Sequence, residues 1–278
     1  MRCLFPFRYL SLLIGAFTVL AFLYASFVPS PSIEPAIGPA RREGSVRVIE
    51  GWTLRDLQQA LFEEKGVDRL RMAEVMGTVA DVRSFDPIWR EEFAFLRALP
   101  TIRSLEGYLF PDTYRVWEDQ LPVGLVRKQL EEFAARYGSV EIHQDLAPLR
   151  TLDDVVILAS IVEKEVRTPE DRQIVAGIFL ERLRIGMALQ SDATLQYVTQ
   201  SGRTRSSHDE LKIDSRYYSY QYRGLPPGPI CNPGATSIEA VLHPVIKGYR
   251  YFLTDTQGKV LYARTFEEHR RNRQAAGY

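Results

Sequence analysis

The hydrophobic positions of this chain change period several times, and each change marks an element. Residues Tyr9–Val28 are uncharged throughout, and about 20 such residues cross a hydrocarbon core as a helix. Residues 29–45 then lose apolar periodicity and gain proline, as a semi-extended linker does. Val46-Arg-Val-Ile49 reads as a short strand. Leu54, Leu57, Leu61 and Phe62 recur at helical spacing behind Thr53, which predicts a capped helix over Leu54–Phe62. Phe85–Leu99 reads as a second amphipathic segment, and Gly107–Tyr114 as loop or short strand. Thr151 with Asp154 is a capping-box pattern opening a helix whose residues Val155–Val162 are apolar on more than one face. That pattern predicts a central, buried helix. Thr168-Pro-Glu-Asp171 starts another, with proline in the first turn and acids against the dipole, running to about Gly186. Ser191 or Asp192 caps a shorter one. Tyr249–Leu253 and Val260–Ala263, joined by Asp255–Lys259, read as a hairpin, and Thr265 with Glu268 caps a last helix.

The expected fold class is α+β: a helical core with small β elements, preceded by one transmembrane helix. Residues 1–8 form the N-terminus, 9–28 the span, 29–45 the linker, 46–150 a first part and 151–278 the part carrying the chemistry. Arg2 and Arg8 precede the span with no acid beside them, which keeps that end in the cytoplasm and puts the remainder outside. The apolar run exceeds a usual signal core and lacks a clean cleavage site, so an uncleaved anchor in the plasma membrane is expected. Composition adds little: 278 residues, 35 Lys and Arg against 35 Asp and Glu, and formal net charge zero. No basic block stands apart from acidic neighbours, which argues against a nucleic-acid partner. Cys3 and Cys231 lie on opposite sides of the span and offer no disulfide framework.

The candidate chemistry centres on Ile157-Leu-Ala-Ser-Ile-Val-Glu163-Lys-Glu165. A carboxyl group at the edge of a buried helix is costly to ionise, and its raised pKa suits a general acid near neutrality. An ion pair with Lys164 or a nearby arginine explains the same residue without catalysis. Glu163 and Glu165 point about 200° apart on a helix, so at most one faces a given substrate. Glu163 is the expected acid, and Glu165 the expected structural ion-pair member, with Arg167 or Arg172. In Leu189-Gln-Ser-Asp-Ala-Thr194, Gln190, Asp192 and Thr194 are candidate hydrogen-bonding groups for a hydroxyl-rich ligand; a helix cap accounts for the same residues. Tyr217-Tyr-Ser-Tyr-Gln-Tyr222 suits sugar stacking or a strand packed into the core, and Gly224–Ile230 with Asn232-Pro-Gly234 a rigid loop. Four scattered histidines give no ligand spacing, so no metal site is expected, and no phosphate-cradling loop or nucleophile elbow appears. No cofactor is expected.

Taken together, Glu106-Gly-Tyr-Leu-Phe-Pro-Asp-Thr113, Ala159–Glu165, Arg182–Met187 with Leu189–Asp192, and Gly224–Ile230 with Asn232-Pro-Gly234 resemble the endolytic murein transglycosylases, the YceG-like family. The resemblance implies a membrane-anchored lytic transglycosylase that cuts peptidoglycan strands internally between N-acetylmuramic acid and N-acetylglucosamine, leaves 1,6-anhydro ends and ends strand elongation. It implies Glu163 as catalytic residue, Gln190, Asp192, Thr194, Ser219, Tyr220 and Asn232 toward substrate, the inner membrane as location, and peptidoglycan synthases as partners. An intramolecular nucleophile removes the need for the second carboxylate that a hydrolase uses. Members usually carry a LysM-like portion after the anchor, which is short or missing here. Tyr218 stands where an amide is usual. A catalytically weak peptidoglycan-binding or divisome scaffold is the alternative, and a hydrolase pairing Glu163 with Asp192 a third.

Overall fold

The computed structural model describes residues 41–78, 84–200 and 214–277. The expected span 9–28 and residues 29–40 of the expected linker lie outside them. Among the described residues no helix is long and apolar enough to cross a membrane.

Strand β1 (Glu43–Arg47) pairs antiparallel with β2 (Thr113–Trp117), Val46 opposite Tyr114 and Glu43 opposite Trp117. Alternation puts Val46, Tyr114 and Val116 into the core. The strand therefore begins three residues before the expected Val46. Helix α1 (Leu54–Lys65) starts at the Thr53–Asp56 capping box and ends at Gly66 in the left-handed conformation. It buries Leu54, Leu57 and Leu61 but not Phe62, which is exposed with the Arg69 guanidinium 4.4 Å from its ring centroid. Helix α2 is Arg69–Met76.

The expected segment Phe85–Leu99 divides into α3 (Ile88–Glu92) and a 3-10 turn (Ala94–Ala98), with Phe93 extended between them. Arg90 supplies the reason: its guanidinium donates to the carbonyls of Leu96, Leu99 and Pro100, folding the chain back on itself. The fold turns Phe93 and Leu96 inward together. Helix α4 (Val123–Tyr137) buries Leu125, Val126, Leu130, Phe133 and Tyr137.

Helix α5 (Leu152–Glu165) has the expected Thr151–Asp154 box, and every residue from Val155 to Val162 is buried. Helix α6 (Pro169–Arg184) and helix α8 (Ala235–Leu242) pack on each other and both pack on α5. Helix α7 (Asp192–Thr199) lies between α6 and α8 in sequence. The hairpin of β3 (Tyr251–Thr254) and β4 (Val260–Ala263) and the Thr265-capped α9 (Phe266–Ala275) follow as expected. Helices α2, α4 and α8 stand outside the elements expected from the pattern. The described part is α+β: helices with two small two-stranded sheets.

Asn232 joins three distant loops in this core. It is fully buried, and its Oδ1 accepts from the Gly107 and Leu109 amides at 2.9 and 3.1 Å. Its Nδ2 donates to the Trp52 carbonyl at 3.1 Å, and its backbone pairs with Trp52 and Gly51. The expected substrate residue Asn232 thus has both polar atoms of its side chain engaged within the chain. Gly107, at φ +91°, is needed at this junction because a Cβ there would lie 2.5 Å from Pro229 Cγ. Replacing Asn232 by Ala strands two buried amide donors and is expected to cost about 2–4 kcal/mol, measured as a shift of the urea midpoint.

Candidate active site

The two glutamates at the end of α5 have different partners, as the 200° angle requires, and Glu163, the expected acid, is the one in an ion pair. Glu163 is consumed by structure. Its Oε1 accepts from Arg172 Nη2 at 2.8 Å, and both side chains are nearly buried. Its Oε2 accepts from the Gly234 amide at 3.1 Å and from Ser237 Oγ at 2.7 Å. Gly234 is the N-cap of α8 and has no side-chain oxygen to cap it. Glu163 supplies that oxygen from another helix, where the α8 dipole favours negative charge.

Glu165 has the properties expected of Glu163. Burial pushes its carboxyl up to about 7, with the Asp192 charge adding to the rise; the Ser191 hydroxyl and the Arg182 charge act against it. Ser191 Oγ donates to Glu165 Oε1. Among the described residues no cation lies within ion-pair distance of Glu165. Arg172, expected as one of its partners, is taken by Glu163. The residue keeps a partly exposed edge, so a substrate can reach a carboxyl group that stays about half protonated near pH 7. Arg182, itself buried, donates to the carbonyls of Leu189 and Arg250. It thereby holds the segment that delivers Ser191.

That segment accounts for most of the expected binding residues. Ser191 occupies the N-cap position of α7 but makes no side-chain cap bond, because its hydroxyl serves Glu165. Its backbone N donates to Ser219 Oγ at 2.9 Å. Thr194 Oγ1 donates to the Ser191 carbonyl at 2.8 Å and lies 2.9 Å from Ser219 Oγ. Thr194 and Ser219 are buried. Their hydrogen bonds tie the loop beneath Glu165 together. Gln190, Asp192 and Tyr220 are exposed around it. Gln190 holds φ +53°, and its backbone N donates to the Ser219 carbonyl at 3.1 Å. Asp192 hydrogen-bonds Tyr220 and, with burial, raises that phenol. Asp192 therefore belongs electrostatically with Glu165, not with Glu163. The tyrosine-rich stretch is a series of turns rather than a strand. Tyr217 packs toward Tyr197, ring centroids 5.3 Å apart, while Tyr218 and Tyr220 pair at 5.7 Å on the outside.

Glu106 is a second buried acid, missed as a titrating group by sequence reasoning. Burial pushes it up to about 8, against hydrogen bonds from Tyr197 and the Leu54 amide. Its flanking glycine and aromatics are visible in the sequence, but its burial depends on Tyr197, 91 residues away. Acids whose folded pKa is raised above 4.5 keep protons that the unfolded chain has lost. Stability therefore falls as pH rises from about 4.5 through the folded pKa, and levels off above it. Between pH 5 and 8.5 the urea midpoint of the wild type is expected to fall. Glu106→Gln, which removes the titration, is expected to recover on the order of 3 kcal/mol of that loss.

Metal coordination has no geometric basis among the described residues, where no cluster of three His, Cys, Asp or Glu side chains occurs. Cys231 is buried with Sγ 3.3 Å from the Ser160 carbonyl.

The model of the YceG-like family matches residues 33–275. The chain belongs to the YceG-like family. A Bacillus subtilis endolytic murein transglycosylase is 36% identical over 169 residues, covering 59% of this chain and 46% of that protein. A Streptococcus pneumoniae endolytic murein transglycosylase is 31% identical over 243 residues, 82% of this chain and 44% of that one. The chain thus spans about half the length of the curated relatives it matches. The crystal structure of a putative YceG-like protein from Listeria monocytogenes superposes with a TM-score of 0.68 at 29% identity, covering 85% of this chain and 76% of that one. The YceG-like fold thus accounts for most of the described region.

Proposed function

We propose that this YceG-like chain is a lytic transglycosylase acting within peptidoglycan glycan strands, with Glu165 rather than Glu163 as its acid and base. The observation that carries the reading is the partly exposed, uncompensated Glu165 carboxyl near pKa 7, held by Ser191. The names of the relatives from B. subtilis and S. pneumoniae support the substrate class.

In the first step Glu165 gives its proton to the oxygen between the muramic C1 and the next sugar, and the C1–O bond breaks. The muramic ring carries the positive charge that develops, beside the Asp192 carboxylate. In the second step the muramic 6-hydroxyl oxygen bonds to C1 and its proton returns to Glu165. Water is not consumed, and the product is a 1,6-anhydro end. A single carboxyl group near the working pH suits both transfers. Gln190, Asp192 and Tyr220 are the exposed polar groups around it.

The apolar stretch Tyr9–Val28 and the arginines before it support anchoring in the plasma membrane with the enzyme outside the cytoplasm. There it would meet newly made strands and their synthases, and cutting would limit strand length.

The test is mass spectrometry of glycan strands incubated with the chain. Internal fragments ending in 1,6-anhydromuramic acid are expected. Reducing ends would replace this reading by hydrolysis. Uncut strands with retained strand binding would replace it by a scaffold.

A further inference from the structure

A cavity of about 540 Å³ lies beside the Glu165 site, and none of the groups that serve Glu165 lines it. The two share their helices. Helix α5 gives Glu165 to the site and Lys164 to the cavity. Helix α7 follows Ser191 and Asp192 with Ala193, Gln196 and Tyr197, which line the cavity. Consecutive helical residues diverge by about 100°, so the cavity adjoins the reaction centre without being part of it.

The lining is cationic and rich in amides. Arg55, Arg69 and Lys164 contribute positive charge. The one acid, Asp56, is engaged by the Thr53 amide and hydroxyl, both at 2.8 Å. Among the described residues none of the three cations has a carboxylate within ion-pair distance. Arg55 is held by a neutral group, the Tyr197 carbonyl at 3.4 Å, and the Gln200 side-chain amide lies beside its guanidinium. Gln58, also in the lining, has a buried amide nitrogen with no hydrogen-bond partner. Such a donor costs stability until an acceptor reaches it. Three cations with no carboxylate partner, beside one amide nitrogen with no acceptor, fit an anionic ligand with a peptide-like backbone.

We propose that this cavity binds the acidic peptide carried by the glycan strand, its carboxylates toward Arg55, Arg69 and Lys164 and one of its carbonyls toward the Gln58 amide nitrogen. The inference rests on the transglycosylase reading and extends it. A muramic ring carries its peptide on the oxygen of C3, two ring bonds from the C1 that is cleaved. A ring seated at Glu165 therefore sends its peptide into the immediately adjoining space. Uncharged acetylated sugars would leave three cations unanswered there.

The test is titration of the full-length chain with a soluble muramyl tripeptide carrying free carboxylates, beside the same compound with those carboxylates amidated. The charged probe is expected to bind about 10-fold more tightly, with the gap narrowing as salt rises. Arg55→Gln combined with Lys164→Gln is expected to close the gap with the melting temperature unchanged. Lys164→Gln alone, a change at an exposed position that cannot unfold the chain, is expected to reduce the gap about threefold. Equal binding of both probes by the wild type overturns the proposal, as does a gap that survives Lys164→Gln and Arg69→Gln. Selective binding of the charged probe by a wild-type chain that cuts no strand would instead overturn the transglycosylase reading and leave the cavity assignment standing.

Discussion

Glu165→Gln is expected to lower the rate of strand cleavage about 10³-fold, within the range for loss of a general acid, while the chain stays folded. The glutamine keeps the acceptor for Ser191 Oγ but has no proton to give. Because Glu165 titrates at about 7 from a neutral, buried state, the wild-type rate should fall as pH rises above that value, where the acid is lost. The fall should be absent from the residual activity of the variant. Glu163→Gln is the control: it keeps one acceptor oxygen, turns the other into an amide donor facing Arg172 or Gly234, and is expected to lose stability while retaining the pH profile. Loss of chemistry in Glu163→Gln with Glu165→Gln still active would return the role to Glu163.

Glu163→Ala should be the most damaging single change to stability, by about 3–5 kcal/mol in a urea or thermal melt. It leaves the nearly buried Arg172 guanidinium without its counter-charge, and removing one partner of a buried ion pair typically costs that much. It also uncaps α8 at Gly234 and Ser237. Glu163→Ala with Arg172→Met should recover part of the loss, because the uncompensated charge is then gone. A loss under 1 kcal/mol for Glu163→Ala would mean that Arg172 finds another partner or water.

The two glutamates also show where the sequence was legible. Their spacing on a helix was enough to say that they could not do the same job, and the structure gives them separate partners. Which one sits in an ion pair and which one bonds a hydroxyl was not readable, because that depends on Arg172 on the next helix, on the bare N-terminus of α8 and on Ser191. None of these is near in sequence to the end of α5 except Arg172. The helix-start signals at Thr53, Thr151, Thr168 and Thr265 were legible because capping is local: each side chain accepts from the residue three positions on. The break at Phe93 was not, since it comes from Arg90 reaching carbonyls six to ten residues away. Thr194, Ser219 and Asn232 carried the right polarity for ligand contact, and only burial distinguishes a group that binds substrate from one that binds the chain itself.

The Asn232 junction has a consequence for when the fold can be completed. Its side chain reaches the Trp52 carbonyl across 180 positions and Gly107 across 125. Closing such separations is slow relative to forming local helices. Helix α5 can form as soon as it leaves the ribosome, but the loop of Trp52 and the turn at Gly107 have nothing to lock onto until residue 232 has followed. Glu163 likewise waits for Gly234. A growing polypeptide would therefore hold these loops unjoined, and Glu163 without its Gly234 and Ser237 donors, until residues 232–237 have followed.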